Sequence, residues 1–279
     1  MEMAKTKIII LIAVVFASVS CGPVYRWQSV SMDGSRTGCV SASADNVSQA
    51  LGLMNEDGSY VSPSGKVFNP ETSVTKVASA VLEAQDKMAS VKKVIAYSDE
   101  YMPNDVQECR LSNWFIEVLM NKVASLSGRH VDVGIGNFGG IRVGMPQGDV
   151  TLDDIKSMFP FRNNLVYLEL SGRTLRDIFS KMASSGKFEV LGGVDILASD
   201  GKIVSVKVGG HPLDDDRNYS VATISFLLHG GDGLTLADGA AGLEIYDVAI
   251  FDAVLEHVES LTSEGKHIRG KDVGHIVIR

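Results

Sequence analysis

The 279-residue sequence predicts an α+β protein of layered mixed β-sheets with flanking helices. Three observations lead there. Stretches with helical and with alternating apolar spacing follow one another along the chain, and no fixed-period repeat accompanies them. Hydrophobic residues make up 45% and charged residues 22%, enough apolar material for a sizeable core. No run of about 20 apolar residues is present, which excludes a multispan helical membrane protein. The balance of 26 Lys+Arg against 34 Asp+Glu gives a formal net charge of −8. A field of that sign repels polyanions, so any phosphate must be held by local groups.

The elements read in order as follows. Lys5 and Lys7 precede an apolar run from Ile8 to Val19, which ends at Ser20-Cys21-Gly22. A charged start, a short apolar segment and a small-residue cleavage site predict an export signal over residues 1–20. Cys21 sits where a bacterial lipobox places its lipidated residue, with Ser18 where that pattern usually has Leu; an ordinary secretory signal is the alternative. Residues 21–70, rich in Ser, Gly, Asp and Asn, read as a lipid-anchor tether and N-terminal segment, and 71–279 as a single domain. Cys39 and Cys109 are the remaining cysteines, and whether they pair stays open.

Within the domain, Val74, Val77, Ala78, Val81, Met88 and Val91 predict a helix over 72–91, and Val94 to Tyr97 a strand. Leu111, Trp114, Phe115, Val118, Leu119, Val123 and Leu126 form one apolar face that ends at Gly128, a helix with both aromatics in the core. Val131 to Ile135 alternates as a strand. Thr151 with Asp154 three places on opens a short helix that Pro160 stops. Leu165 to Leu170 is a strand and Ser171 caps the next helix. Asp200-Gly201 marks a tight turn, Tyr219 to Ser225 a strand, and Asp247 to Leu261 the last helix.

Three loops carry the candidate chemistry: Asn137 to Arg142, Phe159 to Asn163, and Phe226 to Gly233. Their double glycines let backbone approach a ligand closely. Phe beside Pro or Gly suits a flat face offered to a planar ring, although the same side chains can plug a core. Asp232 has the acceptors for a sugar diol, Asn137 those for a ring edge, and Arg142 a fork for phosphate.

Together, Asn137-Phe-Gly-Gly-Ile-Arg142, Pro160-Phe161-Arg-Asn163 and Phe226 followed by Gly230-Gly-Asp232-Gly233 resemble, in order and spacing, the C-terminal substrate-binding domain of the 5′-nucleotidase family. The Glu108 to Asn113 stretch resembles that family's Glu-x-x-Leu-Gly-Asn helix start, with Ser112 in place of Gly. The resemblance implies a 5′-nucleotidase C-terminal-like fold over 71–279. It implies that Phe161 and Phe226 sandwich a nucleobase, that Asn137 contacts it, that Asp232 binds the ribose hydroxyls and that Arg142 faces the phosphate. Asn163 and Gly231 would shape the pocket. A phosphate-binding Arg of several relatives falls on Asp105 here, leaving Arg110 or Arg162 as possible substitutes, and Leu234 replaces a common Tyr.

In that family a separate metallophosphatase domain with two metal ions performs hydrolysis. The sequence has no Asp-x-His, no Gly-Asn-His-Glu or Gly-Asn-His-Asp and no His-x-His, and its six His residues are scattered. No catalytic residue and no metal site are therefore assigned, and no cofactor is expected in this chain; the divalent metals belong to a partner subunit. Read with its export signal, the chain is expected to be a complete unit: an exported, envelope-anchored subunit of a split 5′-nucleotidase, inactive by itself, that recognises nucleoside 5′-monophosphates or nucleosides for an exported metallophosphatase. The alternatives are a stand-alone nucleoside- or nucleotide-capturing lipoprotein, and a decayed pocket on a surface scaffold.

Overall fold

Residues 46–279 are described by the structure, a computed structural model. The expected signal, Cys21 and Cys39 lie outside the described residues. The chain divides into two compact units, one ending at Ser79 and the other running from Ala80 to Arg279.

In the first unit a short helix α1 (Val47–Leu51) precedes three two-residue strands, β1 (Leu53–Met54), β2 (Tyr60–Val61) and β3 (Val67–Phe68), paired antiparallel in that order. The Tyr60 hydroxyl donates to Leu51 O at 2.8 Å, and its ring stacks on Phe68. Helix α2 (Ser73–Met88) begins in this unit. Its helical spacing is as expected, but Val74, Val77 and Val81 are exposed, whereas Thr75 is buried and bonded to Asn69 O at 2.7 Å. Periodicity sets which residues share a helix face, not whether anything covers that face.

The second unit begins with β4 (Val94–Ser98), followed by α3 (Arg110–Ser127) and β5 (Val133–Ile135). Next come β6 (Gly148–Thr151), α4 (Leu152–Met158), β7 (Asn164–Ser171) and α5 (Gly172–Ser185). Strands β8 (Leu191–Gly192), β9 (Val194–Ser199), β10 (Lys202–Val208), β11 (His211–Pro212) and β12 (Asn218–Ile224) follow. The chain ends with β13 (Gly242–Ala249), α6 (Ile250–Ser263) and β14 (Ile276–Ile278). A five-stranded sheet has the order β13-β7-β12-β5-β8, a four-stranded one β11-β10-β9-β14, and β4 pairs with β6.

The helix ends follow the sequence signals. Thr151 and Asp154 form a reciprocal capping box, Ser171 accepts from Thr174 N–H, and Gly128 closes α3 in the left-handed region. Helix α3 buries Leu111, Trp114, Phe115, Val118, Leu119 and Val123 against the five-stranded sheet and α6. It lies so close to the sheet that a Cβ on Gly134 would come within 2.7 Å of Ile116. The last helix starts three residues later than expected because Asp247 to Ala249 complete β13, an edge strand whose Leu243 and Ile245 face solvent.

The start of α3 holds the C-terminus in place. Glu108 accepts hydrogen bonds from Asn113 Nδ2 and from the backbone N–H groups of Gly274, His275 and Ile276, and Asn113 also donates to Asp272 O. Burial acts to raise the Glu108 carboxyl, but the bonds from Asn113 and those three N–H groups outweigh it and hold the group below its usual 4.5. A carboxyl lowered by folding contributes stability above its unfolded value and loses that contribution as pH falls through its folded value. Glu108→Gln should therefore lower the urea midpoint at pH 7 and reduce its decline from pH 5 to pH 3. Parallel curves for the two proteins would contradict the assignment.

Candidate functional site

The three candidate loops meet because of sheet topology. Strands β5 and β12 are parallel neighbours, so the loops after Ile135 and Ile224 leave from the same end. Strand β7 runs antiparallel to β12 with Leu165 opposite Ile224, so the segment entering β7, which carries Phe161, lies at that end too. A hydrogen bond from Asn164 N–H to Ser225 Oγ at 3.1 Å ties the second loop to the third. Asn163 O accepts from Ile250 N–H at 3.0 Å, fixing the backbone just before β7 to the start of α6.

The loop phenylalanines divide into two kinds. Phe138 and Phe159 are buried at 4% and 3% exposure, and Phe159 stacks on Phe115 with ring centroids 5.0 Å apart. Phe161 and Phe226 are 47% and 44% exposed. Exposed rings on loops tied to well-packed strands offer flat apolar surface without a core role. Gly231 lies against Phe226: a Cβ there would sit 2.2 Å from Phe226 O and 2.8 Å from two ring atoms, so glycine alone permits this approach.

Between these loops, Asn137 Nδ2 donates to Asp232 Oδ2 at 2.7 Å. A carboxylate only accepts, so the amide nitrogen must face it, which fixes which way Asn137 points. Its Oδ1 then lies over Gly140, where a Cβ would approach within 2.6 Å. Asn137 is buried while Asp232 is exposed, with φ of 48°, a left-handed conformation that Asp tolerates better than most residues. Lys181 Nζ donates to Gly233 O at 2.7 Å at the far end of the same turn.

Arg142 is exposed, donates to Gly139 O at 3.3 Å and has its guanidinium carbon 5.8 Å from the centroid of the Phe161 ring. Arg162, next to Phe161, is also exposed. Arg110 is engaged elsewhere. It makes a two-pronged contact with Glu100, at 3.0 and 2.9 Å, and donates to Gly270 O, so it is neutralised locally. Asp105 is exposed and Leu234 is buried.

The structure thus brings together Asn137, Arg142, Phe161, Asn163, Phe226, Gly231 and Asp232, and sets Arg110 apart. Residues without a sequence signal also support the site: Glu189, whose carboxylate accepts from Phe138 N–H at 3.0 Å, and Asn104, whose amide donates to Ile141 O at 2.7 Å. Neither of the cavities of about 740 and 430 Å³ is lined by Phe161 or Phe226; the larger borders the back of the first loop, with Glu108, Phe138 and Glu189 in its wall. Among the described residues no group of three or more His, Cys, Asp or Glu side chains could hold a metal ion. No helix among them is long and apolar enough to cross a membrane.

The fold is an α+β domain with two exposed aromatic rings and a carboxylate on loops at one sheet end, and comparison with known proteins gives its family. The profile described as "5'-nucleotidase, C-terminal domain" matches residues 88–239. The chain belongs to that family. It is 33% identical over 135 residues to "Protein UshA" of Salmonella pullorum, covering 46% of this chain and 24% of that protein. It is 29% identical over 191 residues to "Apyrase" of Tabanus yao, covering 58% and 34%. The 5'-nucleotidase precursor structure from Thermus thermophilus shares the fold with a TM-score of 0.63 at 23% identity, over 78% of this chain and 45% of that one. The Haemophilus influenzae NAD nucleotidase structure gives 0.57 at 17% identity, over 79% and 48%. The chain therefore spans a quarter to a third of these curated relatives and under half of these solved ones.

Proposed function

We propose that this chain is the recognition subunit of a split 5′-nucleotidase, which binds the base and ribose of nucleoside 5′-monophosphates for hydrolysis by a separate metallophosphatase. The observation that supports this reading best is the pairing of two exposed Phe rings with the Asn137–Asp232 hydrogen bond at one sheet end. Stacking between ring faces would hold a base, and the exposed carboxylate would accept from a ribose diol. Among the described residues no cluster fits a dinuclear metal centre, so no hydrolytic step is assigned to them. Export and lipidation at Cys21 belong to the same proposal.

A second reading, stand-alone capture of nucleosides, is favoured by one feature. Arg110 is taken up by Glu100, which leaves Arg142 and Arg162 as the arginines on the candidate loops. Calorimetry separates the two. Adenosine and AMP should bind within about tenfold of each other, and AMP a hundredfold tighter, about 2.7 kcal/mol, would overturn the weak-phosphate view. The purified chain should release no phosphate from AMP until an exported metallophosphatase subunit is added; no release with any such subunit would favour capture. Release that survives repurification of the chain alone would refute both. In membrane fractionation, Cys21→Ser should move the chain to the soluble fraction, and an unchanged distribution would refute the anchor.

A further inference from the structure

Glu189 carries a buried carboxylate that neither the fold nor the proposed ligand contacts account for. Its side chain is 8% exposed. One oxygen, Oε2, accepts from Phe138 N–H at 3.0 Å, and the other, Oε1, lies 3.3 Å from Lys187 Nζ. Phe138 directly follows Asn137 and begins the single helical turn Phe138–Gly140. That turn's first N–H groups have no partner within the turn itself, and an N–H buried without an acceptor is costly.

The rest of the loop is held at its far end. Ile141 O accepts from Asn104 Nδ2, and Arg142 N–H donates to Met158 O at 2.9 Å. At the near end Gly136 N–H donates to Val190 O at 2.8 Å, so the residue beside Glu189 already ties the two segments together. Asn137 thus stands between a backbone bond at 136 and a carboxylate bond at 138, both to the segment 189–190. Its own amide reaches Asp232 from there.

We infer that Glu189 is a positioning residue for the candidate site: its bond to Phe138 N–H sets the backbone angle from which Asn137 meets Asp232. It acts through Asn137 and touches no ligand. The inference rests on the nucleoside reading above for its effect on binding, but its effect on the loop stands independently.

Two substitutions test it. Glu189→Gln keeps an oxygen acceptor for Phe138 N–H, whereas Glu189→Leu keeps the bulk and removes the acceptor. Glu189→Leu should weaken adenosine binding by the folded protein about tenfold, the scale of a lost bond to a charged group, and Glu189→Gln should restore it to within about twofold of the parent. Amide exchange of Phe138, Gly139 and Gly140, read by NMR, should speed up in the Leu variant and return in the Gln variant, whether or not any nucleoside binds. A Leu variant with a lowered urea midpoint but unchanged adenosine affinity and unchanged Phe138 exchange would overturn the inference. If the parent protein binds no nucleoside, the functional reading fails, and the exchange comparison alone decides whether Glu189 sets the loop.

Discussion

Phe161→Ala and Phe226→Ala should each remove about 1 to 3 kcal/mol of nucleoside affinity, the value of one stacked face on a base. Their urea midpoints should stay close to that of the parent, because both rings are nearly half exposed and truncation opens no cavity. Phe179 supplies the contrast. Fully buried on α5, its replacement by Ala should cost about 3 to 5 kcal/mol of folding stability through lost burial and an unfilled void. Calorimetry and urea titration on the three variants separate ligand surface from core. Unchanged adenosine affinity in both clamp variants would remove Phe161 and Phe226 from the site.

Asn137→Asp should produce a pH-dependent loss of binding. The change replaces the donor 2.7 Å from Asp232 with a second carboxylate, and two like charges at that spacing repel. Asp232 is exposed and can turn into water, but position 137 is buried, so the new carboxylate should also lower the urea midpoint, and affinity is read on the folded fraction. Adenosine affinity at pH 7 should drop by at least about tenfold, roughly 1.4 kcal/mol. As the pH falls to where one of the two carboxyls carries a proton, an O–H donor returns and affinity should recover. Equal affinity of variant and parent across pH 4 to 8 would show that this bond does not organise a binding site.

Most of the helical framework was legible in the sequence because its signals are local. The face from Leu111 to Leu126, the Thr151 box and the Ser171 cap each lie within a few residues, and the structure reproduces them. Strand β13 was missed for a physical reason: Leu243 and Ile245 point to solvent at a sheet edge, so its apolar residues carry no information about a core. The stripe on α2 misled in the opposite sense, since Val74, Val77 and Val81 repeat like a buried face and are exposed.

The candidate site divides the same way. Its loops stood out through glycine pairs and family resemblance, but the Asn137–Asp232 and Glu189–Phe138 bonds join residues 95 and 51 positions apart. No local pattern encodes such a pairing. Arg110 illustrates the converse. Its charge was visible and its commitment to Glu100 was not, because that partner is defined by how the start of α3 meets the segment after β4.

The parallel pairing of β5 with β12 has a consequence in time. Thr223 Oγ1 donates to Ile135 O, 88 positions away in the chain, and that junction must close before the first and third loops share an end of the sheet. Closing a long loop precedes any reward from the contacts it allows, so contacts of this range form late in folding. The hairpin of β9 and β10 and the α3 helix need no such event. During refolding, far-ultraviolet dichroism would therefore recover first, and competence to quench a fluorescent nucleoside would trail it, making the ligand a clock for the last topological step of the chain.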